Sequence, residues 1–309
     1  MRAAAAMKGA GTGRRRRQWK YFFCALPFLI EILLFCYVPL AGWVLAFFDY
    51  KPGFALFNCK FVGLKYFFII FRDKDVLGVL RNTLIFSGIG YILSPLPMFF
   101  AIQLNELGCR PFKKFTQTVT TLPHFISTVI VYSMAFSIFS TDGAFNLLLM
   151  RLGLISTPTN ALGASSNFVY FFQTMVSQWR ELGWSSIIYI AAIAGIDQEL
   201  YEAAAIDGAG RFRQALHITL PGLMPTYVTL LILSISNILN TGYEQQLLFK
   251  NAFNAAKIET LDLYIYRMGL QIFDYSYSTG VGIIKSVFSI VMLACANMIA
   301  KRVRGNSIV

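Results

Sequence analysis

Three observations predict an all-α integral membrane protein with six transmembrane helices and both termini cytoplasmic. The 309 residues are 56% hydrophobic and 14% charged, with a mean hydropathy of +0.58, whereas soluble domains are about 45–50% apolar and roughly 25% charged. The apolar residues fall into six runs long enough to cross a bilayer. The short segments joining these runs are basic on one side. Abundant apolar and aromatic surface excludes intrinsic disorder. An odd count of 5 Cys excludes a disulfide scaffold.

A spanning helix needs about 20 mostly apolar residues, because the hydrocarbon core is ~30 Å thick and a helix rises ~1.5 Å per residue. The runs lie at 21–48, 80–104, 117–139, 168–193, 224–243 and 279–299. The first contains Pro27 and Pro39, which predict a tilt or kink. It exceeds a signal-peptide core, and no cleavage-type site follows it. The runs lack strict alternation, which favours helices over barrel strands.

Residues 1–20 form a basic tail with Arg2, Lys8, Arg14, Arg15, Arg16, Arg17 and Lys20 and no acid. The positive-inside rule makes that tail cytoplasmic. Six crossings return the C-terminus to the same side, where Lys301, Arg302 and Arg304 agree. Arg110, Lys113 and Lys114 after the second run, with Arg211 and Arg213 after the fourth, agree as well. Residues 21–309 then read as one transmembrane domain. The net charge of +12 is explained by the tail beside an anionic leaflet, so lipid is the expected partner and nucleic acid is not. His124 and His217 lie on different segments and the cysteines lack ligand spacing, leaving no material for a metal site.

The segment between the fourth and fifth runs, about 197–222, predicts two short helices around a turn. Asp197 caps the first, with Glu199 in its first turn. Asp207-Gly208-Ala209-Gly210 ends it, since glycine reaches positive φ freely. A second helix runs from Arg211 to about Leu216 and is stopped by Pro221-Gly222, and Pro225 suits the first turn of the fifth span. The alanines at 203–205 leave a thin surface that another protein can approach.

This segment resembles the cytoplasmic loop of ABC importer permeases, whose pattern is E-A-A, three residues, G, nine residues, I-x-L-P. Glu202, Ala203, Ala204, Gly208, Ile218, Leu220 and Pro221 meet it without insertion. The likeness extends to Arg81-Asn82-Thr83 and to Trp179 through Gly183. It is strongest to the maltose-type carbohydrate permeases, especially those serving plant- or algal-derived oligosaccharides. A departure is Ala215, where relatives often carry a larger residue.

The resemblance implies a type I permease fold whose loop is a coupling helix seated on a separate ATPase subunit, with Asp207 and Arg211 among its contact residues. It also implies a homologous second permease, two ATPases, an extracellular substrate-binding protein and an oligosaccharide substrate. This chain is then no enzyme and binds no cofactor, ATP and Mg residing on the partners. The nearest phosphate-loop match, Gly280 through Ser286, lacks the glycine before Lys285 that the pattern requires.

Polar residues inside spans are costly and are functional candidates by default. Arg180 and Glu181, flanked by Trp179 and Trp184, suit a sugar's hydroxyl edges and apolar faces, or else pair structurally with each other or with a neighbouring helix. Asn237 and Asn240 share a helix face leading to Tyr243, Glu244 and Gln245, and either line the path or join helices. Lys285 can snorkel. A stand-alone carrier would need mid-membrane ion-site carboxylates beyond Glu31 and Glu181. A membrane enzyme would need a clustered acid site, for which Asp73 and Asp75 are the near pair.

Overall fold

The computed structural model describes residues 21–160, 162 and 168–304; the basic tail at 1–20 lies outside them. Helix dominates, and the one β pairing among the described residues is an isolated bridge between Phe48 and Phe61. Among the described residues, five helical segments are long and apolar enough to cross a membrane: Tyr21–Phe47, Lys74–Glu106, Thr128–Arg151, Arg211–Ser236 and Tyr275–Met298. The fourth expected span is helix Phe168–Ala194, 27 residues and therefore about 40 Å long. It is more polar than the others because it carries Gln173, Gln178, Arg180 and Glu181.

Helix α1, Tyr21–Phe47, changes character along its length. Residues 21–32 are α-helical, Leu33–Tyr37 form a π turn, and Val38–Phe47 wind as a 3-10 helix with Pro39 at its start. The expected irregularity therefore sits at Pro39, whose missing N–H breaks the ladder, while Pro27 lies within regular helix. Ala46 is its buried residue, and large side chains such as Phe28 and Phe35 stand exposed. Short helix α2, Lys65–Arg72, lies on the last helix, with Tyr66 and Ile70 inward. Burial, together with the Asp49 carboxylate 2.8 Å away, pushes the Tyr66 phenol up to about 12.

The second run divides into α3, Lys74–Leu93, and α4, Leu96–Glu106, on either side of Ser94-Pro95. Asp73 caps α3 by accepting from the Asp75 N–H at 2.9 Å. It also accepts from the Tyr277 hydroxyl at 2.5 Å, which holds its carboxyl below the usual range. Asp73 is thus a structural acceptor.

The third run is not one helix. Helix α5, Arg110–Thr121, ends in a 3-10 turn at Leu122–Phe125, and α6, Thr128–Phe139, starts afresh. Pro123 interrupts the ladder, and Ser127 caps α6 by accepting from Ile130. Helix α7, Ala144–Arg151, follows, held through Asn146, whose amide reaches the carbonyls of Ser140, Thr141 and Thr159.

Helix α8, Phe168–Ala194, passes through the middle of the bundle and packs on α3, α4 and α5. Beyond it come α9, Gln198–Ile206, and α10, Arg211–Ser236, which contains a π turn at Ala215–Thr219. Three short helices follow, α11 at Glu244–Phe249, α12 at Ala255–Ile258 and α13 at Leu261–Tyr266, before the long α14, Tyr275–Arg304. Lys285 of α14 pairs with Asp262 of α13 instead of snorkelling.

Asn82 and Thr83 of α3 are fully buried and hold the 256–261 segment. The Asn82 amide donates to the carbonyls of Ala256 at 2.8 Å and Glu259 at 3.0 Å, and accepts from the Tyr170 hydroxyl at 2.6 Å. Thr83 accepts from the Leu261 N–H at 2.8 Å. An Asn82→Leu variant removes the three bonds that Asn82 makes, each contributing about 0.5–1.5 kcal/mol net. Its thermal midpoint in detergent is expected to fall by several degrees, and an unchanged midpoint would refute this role.

Candidate functional site

A cavity of about 580 Å³ opens where α3, α8 and the 241–246 segment meet. Its wall is polar: Ser87 from α3, Thr128 from α6, Gln173, Thr174, Ser177, Gln178 and Arg180 from α8, and Thr241 through Gln246. Arg180 donates from Nη1 to the Thr128 hydroxyl at 3.0 Å, and that hydroxyl donates to Glu244 Oε2 at 3.0 Å. Three elements thereby meet at one hydroxyl. Gln245 donates to the Gln173 carbonyl and side chain at 2.9 and 2.8 Å. Arg180 Nε and Gln246 Oε1 are buried without partners among the described residues, so the wall holds one donor and one acceptor that those residues leave unused.

Tyr243 lines this cavity and stacks on Tyr266, ring centroids 4.6 Å apart. The cavity therefore combines an aromatic face with amide, hydroxyl and guanidinium groups. Among the charged groups in its wall, Arg180 supplies the cation and Glu244 the carboxylate.

The other residues singled out in the sequence are distributed differently. Glu181 turns away to His124, whose Nδ1 lies 2.9 Å from Oε2. The His124 ring stacks in parallel on Trp184 at 4.5 Å, and Phe125 meets Trp184 edge-on. Arg180 and Glu181 thus do not pair with each other. Trp184 borders a second cavity of about 430 Å³ with Ser94, Tyr189 and Tyr227, while Trp179 is exposed. Asn237 and Asn240 lie beyond Ser236, where the helix ends, so they share no helix face. Asn237 donates to the Leu233 carbonyl and Asn240 to Asn237 Oδ1, closing the helix end. Thr128, Gln173 and Gln246 were not singled out, because amides and hydroxyls in apolar runs carry no local signature of a shared cavity.

At the far end of α8 the 197–222 loop forms as two helices around a turn. Asp197 accepts from the Glu199 N–H at 3.0 Å. The Ala209 N–H returns to Ala204 and the Gly208 N–H to Ala205, the bonding of a Schellman end. Gly208 sits at the position that needs positive φ, at +76°. Tyr201 and Thr219 join the two helices hydroxyl to hydroxyl at 2.9 Å. Pro221-Gly222 does not stop the second helix, which runs on through Pro225 to Ser236. The π turn at Ala215–Thr219 loosens the ladder where Pro221 lacks its N–H. Gly222 then lies against Ile196 so closely that a Cβ would come within 2.7 Å of it.

Glu202, Ala203, Asp207, Arg211 and Pro221 are exposed, and Ala204 and Ile218 border a cleft of about 370 Å³ between the two helices. Leu220 borders an adjoining apolar cleft with Phe99, Phe212 and Ala215. Arg211 donates to the Glu106 carbonyl at 3.3 Å, tying the loop to α4. Ile206 and Phe212 are 87% and 81% exposed.

Residues 93–305 match the family described as the binding-protein-dependent transport system inner membrane component, and the chain belongs to that family. It is a permease subunit of such a system, residing in the membrane. Among its relatives, Protein LplB of Bacillus subtilis (strain 168) is 40% identical over 93% of this chain and 90% of its own length. The polygalacturonan/rhamnogalacturonan transport system permease protein YteP of the same organism is 41% identical over 92% of this chain and 89% of its own. The crystal structure of a bacterial alginate ABC transporter in complex with alginate pentasaccharide-bound periplasmic protein contains a chain that superposes with a TM-score of 0.85 at 31% identity. That match covers 95% of this chain and 98% of the other.

Proposed function

We propose that this subunit provides half of the path for an oligosaccharide carrying uronate groups, in an importer driven by ATPases on other chains. The observation that carries this reading is the 580 Å³ cavity, whose Tyr243 face, amides and Arg180 suit the apolar faces, hydroxyls and carboxylates of such a sugar. The polygalacturonan and alginate systems to which relatives belong support the same substrate class.

In this reading both termini and the 197–222 loop face the cytoplasm, and residues 21–309 act as one transmembrane unit beside a homologous second permease. Glu202, Ala203, Ala204, Asp207, Gly208, Arg211, Ile218, Leu220 and Pro221 form or shape the seat on an ATPase. Closure of two ATPases pulls on two such loops and rocks the helices between inward- and outward-open states, while an external binding protein delivers the sugar. ATP and Mg belong to the partners; Lys285, the one lysine resembling a phosphate-loop residue, is engaged by Asp262.

The test is uptake of radiolabelled galacturonate oligomers by membranes holding the full transporter. Arg180→Gln is expected to lower uptake by about tenfold or more, since hydrogen bonds to charged groups contribute about 1.5–3 kcal/mol. Arg180→Lys, which keeps the charge, should recover part of the loss. Undiminished uptake in Arg180→Gln would overturn the assignment.

A further inference from the structure

The two cavities along α8 have two wall residues in common, Gly90 of α3 and Gln178 of α8. On one side of this pair lies the space lined by Arg180, Gln173 and Tyr243. On the other lies the space lined by Trp184, Tyr189 and Tyr227, where Ser94 and Tyr227 are joined at 3.0 Å. Each volume falls in the ~300–1,000 Å³ range of small-ligand sites. The polar first space and the aromatic second space offer a chain-form saccharide two successive stations.

Gly90 has no neighbour within 4 Å of where its Cβ would stand. Packing therefore does not require glycine there, although glycine inside a helix costs about 0.5–1 kcal/mol relative to alanine. What its missing side chain leaves open is the space between the cavities. Opposite it, the Gln178 side-chain amide has no protein partner among the described residues, so both its donor and its acceptor are available.

We infer that Gly90 and Gln178 form a neck through which the saccharide chain passes from the first cavity to the second. Gly90 sets the width, and the Gln178 amide positions sugar hydroxyls as they cross. The inference rests on the path proposed above and adds to it the place where passage is narrowest.

The experiment uses the complete transporter, with its second permease, ATPases and binding protein, in proteoliposomes, and a radiolabelled linear galacturonate oligomer. Gly90→Phe fills the neck and is expected to lower uptake by about tenfold or more, a barrier change of ~1.4 kcal/mol or above. Binding-protein-stimulated ATP hydrolysis by that variant should persist, showing an assembled complex. Gly88→Phe is the control: its site also has no neighbour within 4 Å, yet Gly88 lines neither cavity. Normal uptake in Gly90→Phe, or an equal loss in Gly88→Phe, would overturn the neck. If Arg180→Gln lowers uptake while Gly90→Phe does not, the neck fails and the path stands. If both transport normally, the path itself fails.

Discussion

Gly183→Val is expected to disrupt the bundle at the α5–α8 junction. A Cβ at Gly183 would lie 2.2 Å from the Thr120 carbonyl oxygen and 2.6 Å from the Thr121 nitrogen. Both are backbone atoms, so no side-chain rotation relieves the contact. The hydroxyls of Thr120 and Thr121 bond back into their own turn, to the Thr116 and Gln117 carbonyls, which makes this end of α5 rigid. Helix α5 must move away, taking with it the turn that brings His124 to Glu181. Overpacking costs about 1–3 kcal/mol and occasionally more, against a total stability of only ~5–15 kcal/mol. The expected readout is a large drop in thermal midpoint, or loss of the monodisperse protein in detergent. Gly78→Ala, at a site with no neighbour within 4 Å, should leave both unchanged. A Gly183→Val protein that melts with the parent would show that the two helices do not approach this closely.

Gly208→Val is expected to separate membrane insertion from transport. No atom lies within 4 Å of where its Cβ would stand, so nothing clashes, but the residue is held at φ +76°. Left-handed geometry costs an ordinary L-residue about 1–2 kcal/mol, and a β-branched one is a genuine outlier there. The strain falls on an exposed loop rather than on the core, so the chain inserts normally while α9 and α10 lose their relative orientation. ATP-dependent uptake should fall by about tenfold or more, the change a barrier increment of ~1.4 kcal/mol produces. Gly208→Asn, whose side chain tolerates this backbone region, should keep most of it. Equal transport by the valine variant and the parent would count heavily against the loop as the coupling element.

The features of this loop that the sequence predicted are those determined by near neighbours. Asp197 as a cap, the break at Gly208 and a fresh helix at Arg211 each depend on a few adjacent residues. Pro221-Gly222 as a stop did not hold, because distant contacts decide it: Leu223 is fully buried, Gly222 abuts Ile196, and Thr219 meets Tyr201. Hydropathy likewise placed a span at 117–139, yet averaging over that window hides the break that Pro123 and Ser127 impose.

The cavity was the least legible part. Arg180 and Tyr243 were predicted as polar or aromatic groups in apolar surroundings, and both line it. Gln173 meets Gln245 across 72 residues and His124 meets Glu181 across 57. No local pattern announces either pairing. Asn237 and Asn240 were misplaced by a boundary error, since the helix ends at Ser236 before reaching them.

Affinity purification of the tagged chain, expressed with its native neighbours, tests directly whether this permease works as part of an ATP-driven assembly. An ATPase and a second permease should purify with it in fixed proportion, and the ATPase should be lost when Glu202 and Gly208 are replaced together. A chain that purifies alone and moves solute without ATP would contradict that expectation.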